Sequence, residues 1–275
     1  MTAQSLDTGT LDLIATLDEG VLTLTLNRPE ARNAMSKAMN KALQEQLAEA
    51  EFNPAVKCLV LTGAGKGFCA GGDVKGMAAS GDGTVGAQTI DEAIARQRLN
   101  QRATAGKLFK MPKPTIAALP GAAAGAGLSL ALACDLRVMA SNAIMTTAFA
   151  RVGFSGDYGG TYFLTQLVGS AKAREMYFTA EVLRGDQAHA LGLVNRCVPL
   201  ADLAQAARAY AQELAALPTV AIGYMKRNLN AAGRQSLSEV MDTEAVHMVR
   251  TFDTDDHKNA ALAFVDKREP QFQGR

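Results

Sequence analysis

Hydrophobic and polar positions repeat with two different periods along the first 150 residues. Residues 12–26 alternate with a period of two around Val21–Leu26, which predicts a strand that ends at Asn27-Arg28-Pro29. Ser36 begins an amphipathic helical pattern whose apolar residues are Met39, Leu43, Leu47 and Ala50. Further buried strands are predicted at 58–62, 115–119 and 135–140, the last two on either side of a short helix. Strands that alternate with helices predict an α/β core.

The remainder of the chain, from Gly159 onward, has the periodicity of helices. Seven helical segments are predicted between Gly, Pro, Ser and Asp residues, at 160–168, 171–179, 186–191, 201–216, 220–231, 236–250 and 254–268. The last three carry more apolar positions than they need to cover one another, among them Val240, Met241, Val246, Met248 and Val249. We therefore expect these helices to form oligomer contacts. Residues 78–92, rich in Gly, Ser and Asp, predict a mobile loop over a site.

Composition narrows the class of protein. The chain has 275 residues, 48% of them hydrophobic, and a net charge of +1, which excludes a largely disordered chain and a basic nucleic-acid surface. Four cysteines without a CxxC pair, and no secretory signal in Met1–Leu11, predict a cytoplasmic protein. Pro120 and three glycines interrupt the uncharged stretch Thr115–Cys134, which therefore predicts a strand, a loop and a core helix rather than a membrane span.

Two glycine-rich stretches each follow a predicted buried strand. Gly63–Asp73 lacks the ending of a P-loop and the spacing of a dinucleotide-binding loop, which leaves a tight turn or a set of N–H groups that face a ligand. Gly121–Gly127 leads into an apolar helix, where unsatisfied N–H groups carry partial positive charge. This second stretch is either close backbone packing or part of a site for an anionic oxygen. Together the two loops could supply one N–H each.

A third stretch, 152–161, places Asp157 among glycines, between Phe154 and Tyr158. An Asp before Gly-Gly is commonly a turn former or a helix cap, and aromatic neighbours equally suit a desolvated acid–base group with a raised pKa. No GxSxG motif is present, and the three histidines lie in the helical part without metal-ligand spacing. We therefore expect neither a metal site nor a Ser–His triad.

The order and spacing of these stretches resemble those of the crotonase family, the enoyl-CoA hydratase/isomerase superfamily. The segments that carry the resemblance are Leu26–Met35, Phe68–Asp73, Gly121–Asp135, Asp157–Thr161 and Ala188–Asn195. The resemblance implies a spiral of ββα units over residues 1–200, which contains the CoA and acyl site. It also implies a helical C-terminal trimerisation region over residues 201–275.

The resemblance implies an acyl-CoA thioester as the substrate, with no separate cofactor, bound by a homotrimer or a dimer of trimers. The N–H groups of Gly72 and Ala126 are implied to form an oxyanion hole for a thioester enolate, which agrees with the two-loop interpretation. Phe264 and Lys267 are implied to reach the CoA of a neighbouring subunit, although Lys267 could also be a solvated helix charge. The other residues implied to bind CoA are Arg28, Arg32, Ala70 and Asp73.

The sequence departs from the pattern of the hydratases in this family. Ser129 and Phe149 occupy the two positions at which hydratases carry water-activating glutamates. Asp157 occupies the position of the catalytic aspartate of dienoyl-CoA and ring-epoxide isomerases. The resemblance thus implies an isomerase of unsaturated acyl-CoA with Asp157 as the acid–base group. Ser129, Phe149 and Phe154 are expected to line the acyl pocket, and the two phenylalanines to keep it dry.

Two alternatives stay open at this point. A hydratase or a carbon–carbon hydrolase could use Asp157 with a bound water molecule. A catalytically inactive CoA-binding subunit is the other alternative, because the hydratase glutamates are absent. The acyl group is not specified by the sequence, although residues 78–92 are expected to form part of its pocket.

Overall fold

The computed structural model describes residues 3–73 and 89–275. Residues 78–88 of the predicted loop lie outside the described residues. The rest of that segment is not a loop, because Thr89 caps a helix whose first turn contains Glu92. Each of the two side chains accepts a hydrogen bond from the backbone N–H of the other residue, which forms a capping box.

Eleven strands form two sheets within residues 3–73 and 89–275. Their bounds are β1 Gln4–Leu6, β2 Leu13–Asp18, β3 Val21–Leu26, β4 Cys58–Gly63, β5 Gly67–Cys69, β6 Thr115–Leu119, β7 Ala122–Ala124, β8 Leu136–Ala140, β9 Ile144–Thr146, β10 Leu183–Arg184 and β11 Arg196–Val198. The larger sheet has the order β1-β2-β3-β4-β6-β8-β11, and every pair from β3 onward is parallel. β6 is buried along its whole length, as expected for a parallel strand covered on both faces.

Residues 12–26 form two strands rather than the single predicted strand. β2 and β3 pair in an antiparallel hairpin, with Leu13 opposite Leu26 and Asp18 opposite Val21. Glu19 and Gly20 connect them, and both have positive φ angles, 49° and 81°. Positive φ at both central residues gives a tight turn whose twist matches that of the flanking strands. The expectation of one strand was wrong because the alternation continues through this turn.

The smaller sheet has the order β10-β9-β7-β5. β4 and β5, β6 and β7, and β8 and β9 are successive pairs in which the first strand joins the larger sheet and the second joins the smaller sheet. The parallel order β5-β7-β9 follows from this repetition. The predicted spiral of ββα units is confirmed, whereas the smaller sheet itself was not predicted, since its strands have only two or three residues.

Ten helices pack on or beside these sheets within the described ranges 3–73 and 89–275. Their bounds are α1 Lys37–Phe52, α2 Ile90–Ala103, α3 Ala105–Lys110, α4 Ala126–Ala133, α5 Gly160–Thr179, α6 Gly185–Ala190, α7 Leu203–Ala215, α8 Thr219–Ala232, α9 Leu237–Phe252 and α10 Asp255–Val265. α5 unites the predicted segments 160–168 and 171–179. Its backbone leaves the helical conformation at Gly169, where φ is 76°. The other predicted helices in the C-terminal half are present within a few residues of their expected bounds.

The helices after residue 200 differ in how they are buried. α7 packs against β4, β6 and β8 and buries Leu203, Ala207, Ala211 and Ala215. α9 buries no residue, and Leu237, Met241 and Val249 on it are more than half exposed. The division of the chain at residue 200 stays a prediction, and α7 belongs to the packed core around the larger sheet. Among the described residues, no helix is both long and apolar enough to cross a membrane.

Candidate active site

The two glycine-rich loops meet where β5 ends and α4 begins. A Cβ atom on Gly71 would lie 2.9 Å from the carbonyl oxygen of Ala124 and 3.2 Å from the amide nitrogen of Ala126. A Cβ atom on Gly127 would lie 2.7 Å from the Cβ of Cys69. The contacts at 2.9 Å and 2.7 Å are too short for a side chain, and only glycine allows this approach of the two backbones. The predicted pairing of the loops is therefore a feature of the fold.

The peptide unit between Gly125 and Ala126 has a defined orientation. Gly125 has φ 54° and ψ −126°, a conformation that is accessible mainly to glycine. Its N–H donates to the carbonyl of Thr146 at 3.2 Å, and its own carbonyl accepts from the N–H of Ser129 at 3.0 Å. Ala126 is the first residue of α4, where an N–H group has no acceptor within the helix. The loop therefore sets the direction of this N–H, which makes no hydrogen bond within α4.

Gly72 follows Gly71 on the other loop, and Gly71 approaches this peptide. It forms an isolated parallel bridge with Met35, and the N–H of Met35 donates to the carbonyl of Gly71 at 2.8 Å. These contacts tie the loop after β5 to the loop before α1. A Cβ atom on the adjacent Gly71 would lie 3.2 Å from the amide nitrogen of Ala126, so the two loops come close together at Gly72 and Ala126. Their joint action on a ligand oxygen remains a proposal.

Asp157 lies in the turn that begins α5. Its carbonyl accepts from the N–H of Gly160 at 3.1 Å, and Tyr158 next to it has a left-handed backbone with φ 50°. The N–H of Tyr158 donates to Gln101 Oε1 at 3.0 Å. Gln97, one turn earlier on α2, donates to Asp157 Oδ2 at 3.4 Å. Two glutamines on one face of α2 thus hold the turn that carries the carboxylate.

Within the described residues, one carboxylate oxygen of Asp157 is hydrogen-bonded and the other is not. Oδ1 is buried and has no hydrogen-bond partner among the described residues. Desolvation by burial raises the pKa of Asp157 from its ordinary value to about 6. A carboxyl group with this pKa exchanges a proton near neutral pH, and the oxygen without a partner is free to do so. This raised pKa agrees with the interpretation of Asp157 as a desolvated acid–base group, and burial is its cause.

The ring of Phe149 lies between the loop that carries Asp157 and the loop that contains Gly125. One edge of its ring would lie 3.7 Å from a Cβ on Gly125, and another edge 3.8 Å from a Cβ on Gly156. The ring stacks on Tyr177 with centroids 6.0 Å apart and an interplanar angle of 9°. Phe149 is buried, whereas Phe154 is 55% exposed in the single chain. Phe149 is therefore placed to form part of the expected dry wall, whereas the contribution of Phe154 stays a prediction.

Ser129 differs from the expectation of a substrate contact. Its side chain is on α4, is 1% exposed, and hydrogen-bonds the carbonyl of Gly125 at 3.3 Å. A Cβ atom on Gly160 would collide with its hydroxyl oxygen, which shows how closely the start of α5 covers it. The hydroxyl therefore faces backbone rather than an open acyl pocket.

Three residues of the site were missed by sequence reasoning. Gln97 and Gln101 lie on a polar helix far from the motifs, and Tyr177 lies twenty residues after Asp157 on α5. Burial and, after it, the negative charge of Asp157 raise the pKa of Tyr177 to about 12, so the two groups interact electrostatically. The spacing of four between the glutamines, which puts both on one helix face, is the only signal that the sequence offered.

The residues expected to bind CoA form a connected group. Arg28 Nη1 donates to the carbonyl of Ala34 at 2.8 Å and to Asp73 Oδ2 at 3.2 Å. The carbonyl of Arg32 accepts from the N–H of Ala70 at 3.0 Å, while the Arg32 side chain is exposed. Arg28 thus orders the two loops, and Arg32 is the one of the two arginines whose side chain extends into solvent. Contact of any of them with CoA stays a prediction.

The buried side chain of Asn33 connects these loops by hydrogen bonds. It is fully buried with φ 56°, and its side-chain nitrogen donates to the carbonyls of Ala64 at 2.9 Å and Gly67 at 2.8 Å. Its side-chain oxygen accepts from the N–H of Arg28 at 2.9 Å. Asparagine tolerates a left-handed backbone and offers both donors and an acceptor, which explains this residue in the loop.

Phe264 and Lys267 lie at the end of α10. Phe264 is 86% exposed, and Lys267 is exposed with φ 54°. No contact joins either of them to the loops around Asp157 in the described part of the chain. This arrangement is compatible with a role toward another subunit, which stays a prediction. The described residues also contain no group of three or more His, Cys, Asp or Glu side chains that could hold a metal ion.

Comparison with known proteins identifies the family. Residues 16–275 match the sequence profile described as enoyl-CoA hydratase/isomerase. The chain belongs to this family, also called the crotonase family. It is 35% identical over 263 residues to the 1,2-epoxyphenylacetyl-CoA isomerase of Escherichia coli K12, a match that covers 96% of this chain and 98% of that protein.

Other members of the enoyl-CoA hydratase/isomerase family are equally similar. Human mitochondrial enoyl-CoA hydratase domain-containing protein 2 is 36% identical over 263 residues, covering 94% of this chain and 87% of that protein. The crystal structure of an enoyl-CoA hydratase from Polaromonas sp. JS666 is 35% identical with a TM-score of 0.87, covering 94% of this chain and 99% of that one. The crotonase fold and the acyl-CoA class of enzyme are thereby established. Relatives are named both as isomerases and as hydratases.

Proposed function

We propose that this enzyme isomerises an unsaturated acyl-CoA, with Asp157 as its single acid–base group. The observation that carries the proposal is the state of the Asp157 carboxylate, whose Oδ1 is buried without a partner in the described residues and whose pKa is raised to about 6. Burial without compensation costs stability, and such groups are concentrated at catalytic sites. A relative of 35% identity named as an isomerase supports the same reaction class.

The proposed reaction moves one proton. Asp157 takes a proton from the carbon next to the thioester carbonyl, and the electron pair moves into the carbon–oxygen system to form an enolate. The N–H groups of Gly72 and Ala126 hydrogen-bond the enolate oxygen. Protonated Asp157 then returns the proton at the vinylogous carbon, and the double bond is shifted. One carboxylate can do both steps because removal and return occur on the same face.

Water addition is the competing reaction, and it is supported by the hydratase names among the relatives. In the position where family hydratases carry their first glutamate, this chain has a buried serine hydroxyl. In the second it has the ring of Phe149, which packs on Tyr177. Neither group can deprotonate a water molecule near neutral pH. Isomerisation needs only one carboxylate and is therefore preferred.

A panel of acyl-CoA substrates separates the two reactions. Straight-chain, branched, alicyclic and aromatic 2-enoyl- and 3-enoyl-CoA esters are incubated with the enzyme, and the products are analysed by mass spectrometry. Isomerisation leaves the mass unchanged and shifts the double bond, whereas hydration adds one water molecule. We expect a product of unchanged mass from at least one ester. Products that all contain an added water molecule would contradict the proposed isomerase.

Assembly is a second proposal, carried by the exposed apolar residues of the last two helices. Leu237, Met241 and Val249 on α9 and Leu262, Phe264 and Val265 on α10 are each more than half exposed in the single chain. We infer a homotrimer or a dimer of trimers in which Phe264 and Lys267 complete a neighbour's CoA site. Light scattering of the full chain at micromolar concentration should give three or six times the chain mass. A monomer that binds CoA normally would contradict the inference.

A further inference from the structure

The Gly125–Ala126 peptide unit offers its two polar groups in opposite directions. The N–H of Ala126 is the proposed oxyanion donor, and the carbonyl of Gly125 points toward α4. That carbonyl accepts two hydrogen bonds from one residue, from the N–H of Ser129 at 3.0 Å and from its hydroxyl at 3.3 Å. A serine that bonds the carbonyl four residues before it is common in helices, and by itself this contact indicates little.

A second hydroxyl group lies beside that of Ser129. The Tyr177 hydroxyl is close enough to the Ser129 side chain to interact with it. A Cβ atom on Gly160 would collide with the Ser129 oxygen and lie 2.5 Å from the Tyr177 oxygen. The two oxygens are therefore side by side, covered by backbone that only glycine can provide. The ring of Phe149 also stacks on the ring of Tyr177, with the two centroids 6.0 Å apart.

The direction of this chain follows from the donors that are present. Ser129 has one hydroxyl hydrogen, and it is used on the carbonyl of Gly125. With that hydrogen used, the oxygen of Ser129 is left as an acceptor for the hydrogen of Tyr177. Burial and the negative charge of Asp157 raise the pKa of Tyr177 to about 12, so the phenol stays protonated and remains a donor. This gives the proposed order of donation, from Tyr177 to Ser129 and from Ser129 to the carbonyl of Gly125.

We propose that Tyr177 and Ser129 are positioning residues for the oxyanion hole, which hold the Gly125–Ala126 peptide and strengthen its N–H as a donor. Hydrogen bonds donated to a peptide carbonyl polarise the unit and make its N–H more positive. Ser129 is 1% exposed and does not reach the substrate, so its effect passes through the peptide. The proposal rests on the oxyanion role of Ala126 and adds a tuning device to it.

The experiment measures carbonyl polarisation directly. Butanoyl-CoA carrying ¹³C at its thioester carbonyl is bound to the full-length enzyme, and the carbonyl stretching frequency is recorded by infrared difference spectroscopy. This saturated ester has no double bond to shift and remains intact on the enzyme. The variants are Tyr177→Phe, Ser129→Ala and their combination. Tyr162→Phe is the matched control, because it removes a hydroxyl from the same helix on the side that packs against Phe109.

We expect binding to the wild-type enzyme and to Tyr162→Phe to lower the carbonyl frequency equally. The lowering should be smaller in Tyr177→Phe and in Ser129→Ala, and kcat on an isomerised ester should fall roughly three- to tenfold, as expected for the loss of one neutral hydrogen bond. Affinity for butanoyl-CoA should change by less than about twofold. Adding Tyr177→Phe to Ser129→Ala should have no further effect, because Tyr177 acts through Ser129.

Two outcomes would overturn the proposal, and they differ in what else they affect. An unchanged frequency shift in both single variants would contradict the positioning role and would not affect the proposal of an isomerase. A wild-type enzyme that binds butanoyl-CoA without any frequency shift would remove the oxyanion hole itself, and the positioning role with it. Additive effects in the double variant would also contradict the order of the chain.

Discussion

Asp135 and Asp157 are two carboxylates of one core with opposite surroundings. Asp135 Oδ2 accepts from the N–H of Thr115 at 2.8 Å, from its hydroxyl at 2.9 Å, and from Lys226 Nζ at 2.7 Å. Lys226 is 6% exposed and also donates to two backbone carbonyls, which fastens α8 to the region where β6 begins. Asp157 has one long contact, from Gln97, and a buried oxygen without a partner in the described residues.

The difference shows how one residue type serves structure in one place and chemistry in another. Every buried charge costs free energy unless it is paired and hydrogen-bonded. At Asp135 the charge is compensated, and the group joins three segments of the chain. At Asp157 compensation is incomplete, and the remaining cost appears as a pKa raised to about 6. An acid–base group requires such incomplete compensation, because a fully paired carboxylate would neither take nor return a proton readily.

Replacement of Asp157 should have the largest effect on activity. Asp157→Asn keeps the shape of the side chain and removes its ability to exchange a proton, and kcat should fall by about 10³-fold or more, since the same group acts in both proton transfers. Affinity for butanoyl-CoA, measured by calorimetry, should stay within about twofold. Glu45→Gln, at an exposed position on α1, is the control and should leave kcat unchanged. Turnover of Asp157→Asn within threefold of wild type would contradict the assignment.

Replacement of Lys226 should have the largest effect on stability. Lys226→Met leaves Asp135 partly buried without its cation, and the free energy of unfolding should fall by about 3 kcal/mol. Denaturant titration measures this change. Lys41→Met, which breaks an exposed pair with Glu45 on α1, should cost less than about 0.5 kcal/mol.

The combination of Lys226→Met with Asp135→Asn tests the cause of that loss. The pair of substitutions removes the unpaired carboxylate and should recover part of the lost stability. A Lys226→Met protein that is less than about 1 kcal/mol below wild type would show that the ion pair does not fasten α8.

Asp157→Asn should have the opposite effect on stability. The pKa of Asp157 is raised by folding, so the folded chain holds the proton more tightly than the unfolded chain does. As pH rises from about 4 to 7, the wild type loses stability relative to the variant, because the buried carboxylate becomes charged. At pH 7.5 the variant should be more stable by about 3 kcal/mol, and near pH 4 the difference should fall below about 1 kcal/mol. A variant less stable than wild type at pH 7.5 would contradict the comparison.

The fold was largely predictable because its signals are local. Buried strands such as β4 and β6 have continuous apolar runs, and α1 has a clear amphipathic pattern after the Ser36 cap. The smaller sheet was not predictable, since two- or three-residue strands show no period. The turn at Glu19 and Gly20 was hidden because the apolar alternation continues on both sides of it.

The site was only partly predictable, for a different reason. Asp157 and the two oxyanion glycine loops lie in short motifs, and small residues show where backbones approach closely. Gln97 comes from α2 and Tyr177 from the far end of α5, and they come close to the loop of Asp157 only through the packing of these helices. A polar residue on an exposed helix and an aromatic residue on a buried one are ordinary in sequence, and only their placement gives them a role.

The pH dependence of the Asp157 carboxylate tests the central claim most directly. Its titration can be followed by ¹³C NMR of enzyme labelled at the aspartate γ-carbon, with the signal assigned by its loss in Asp157→Asn. We predict an apparent pKa of about 6 for this signal. In the same buffers kcat/KM should rise tenfold per pH unit below that value and level off above it, because the ionised form takes the proton. A carboxylate that titrates near its ordinary value, with kcat/KM constant from pH 5 to pH 7, would contradict the account.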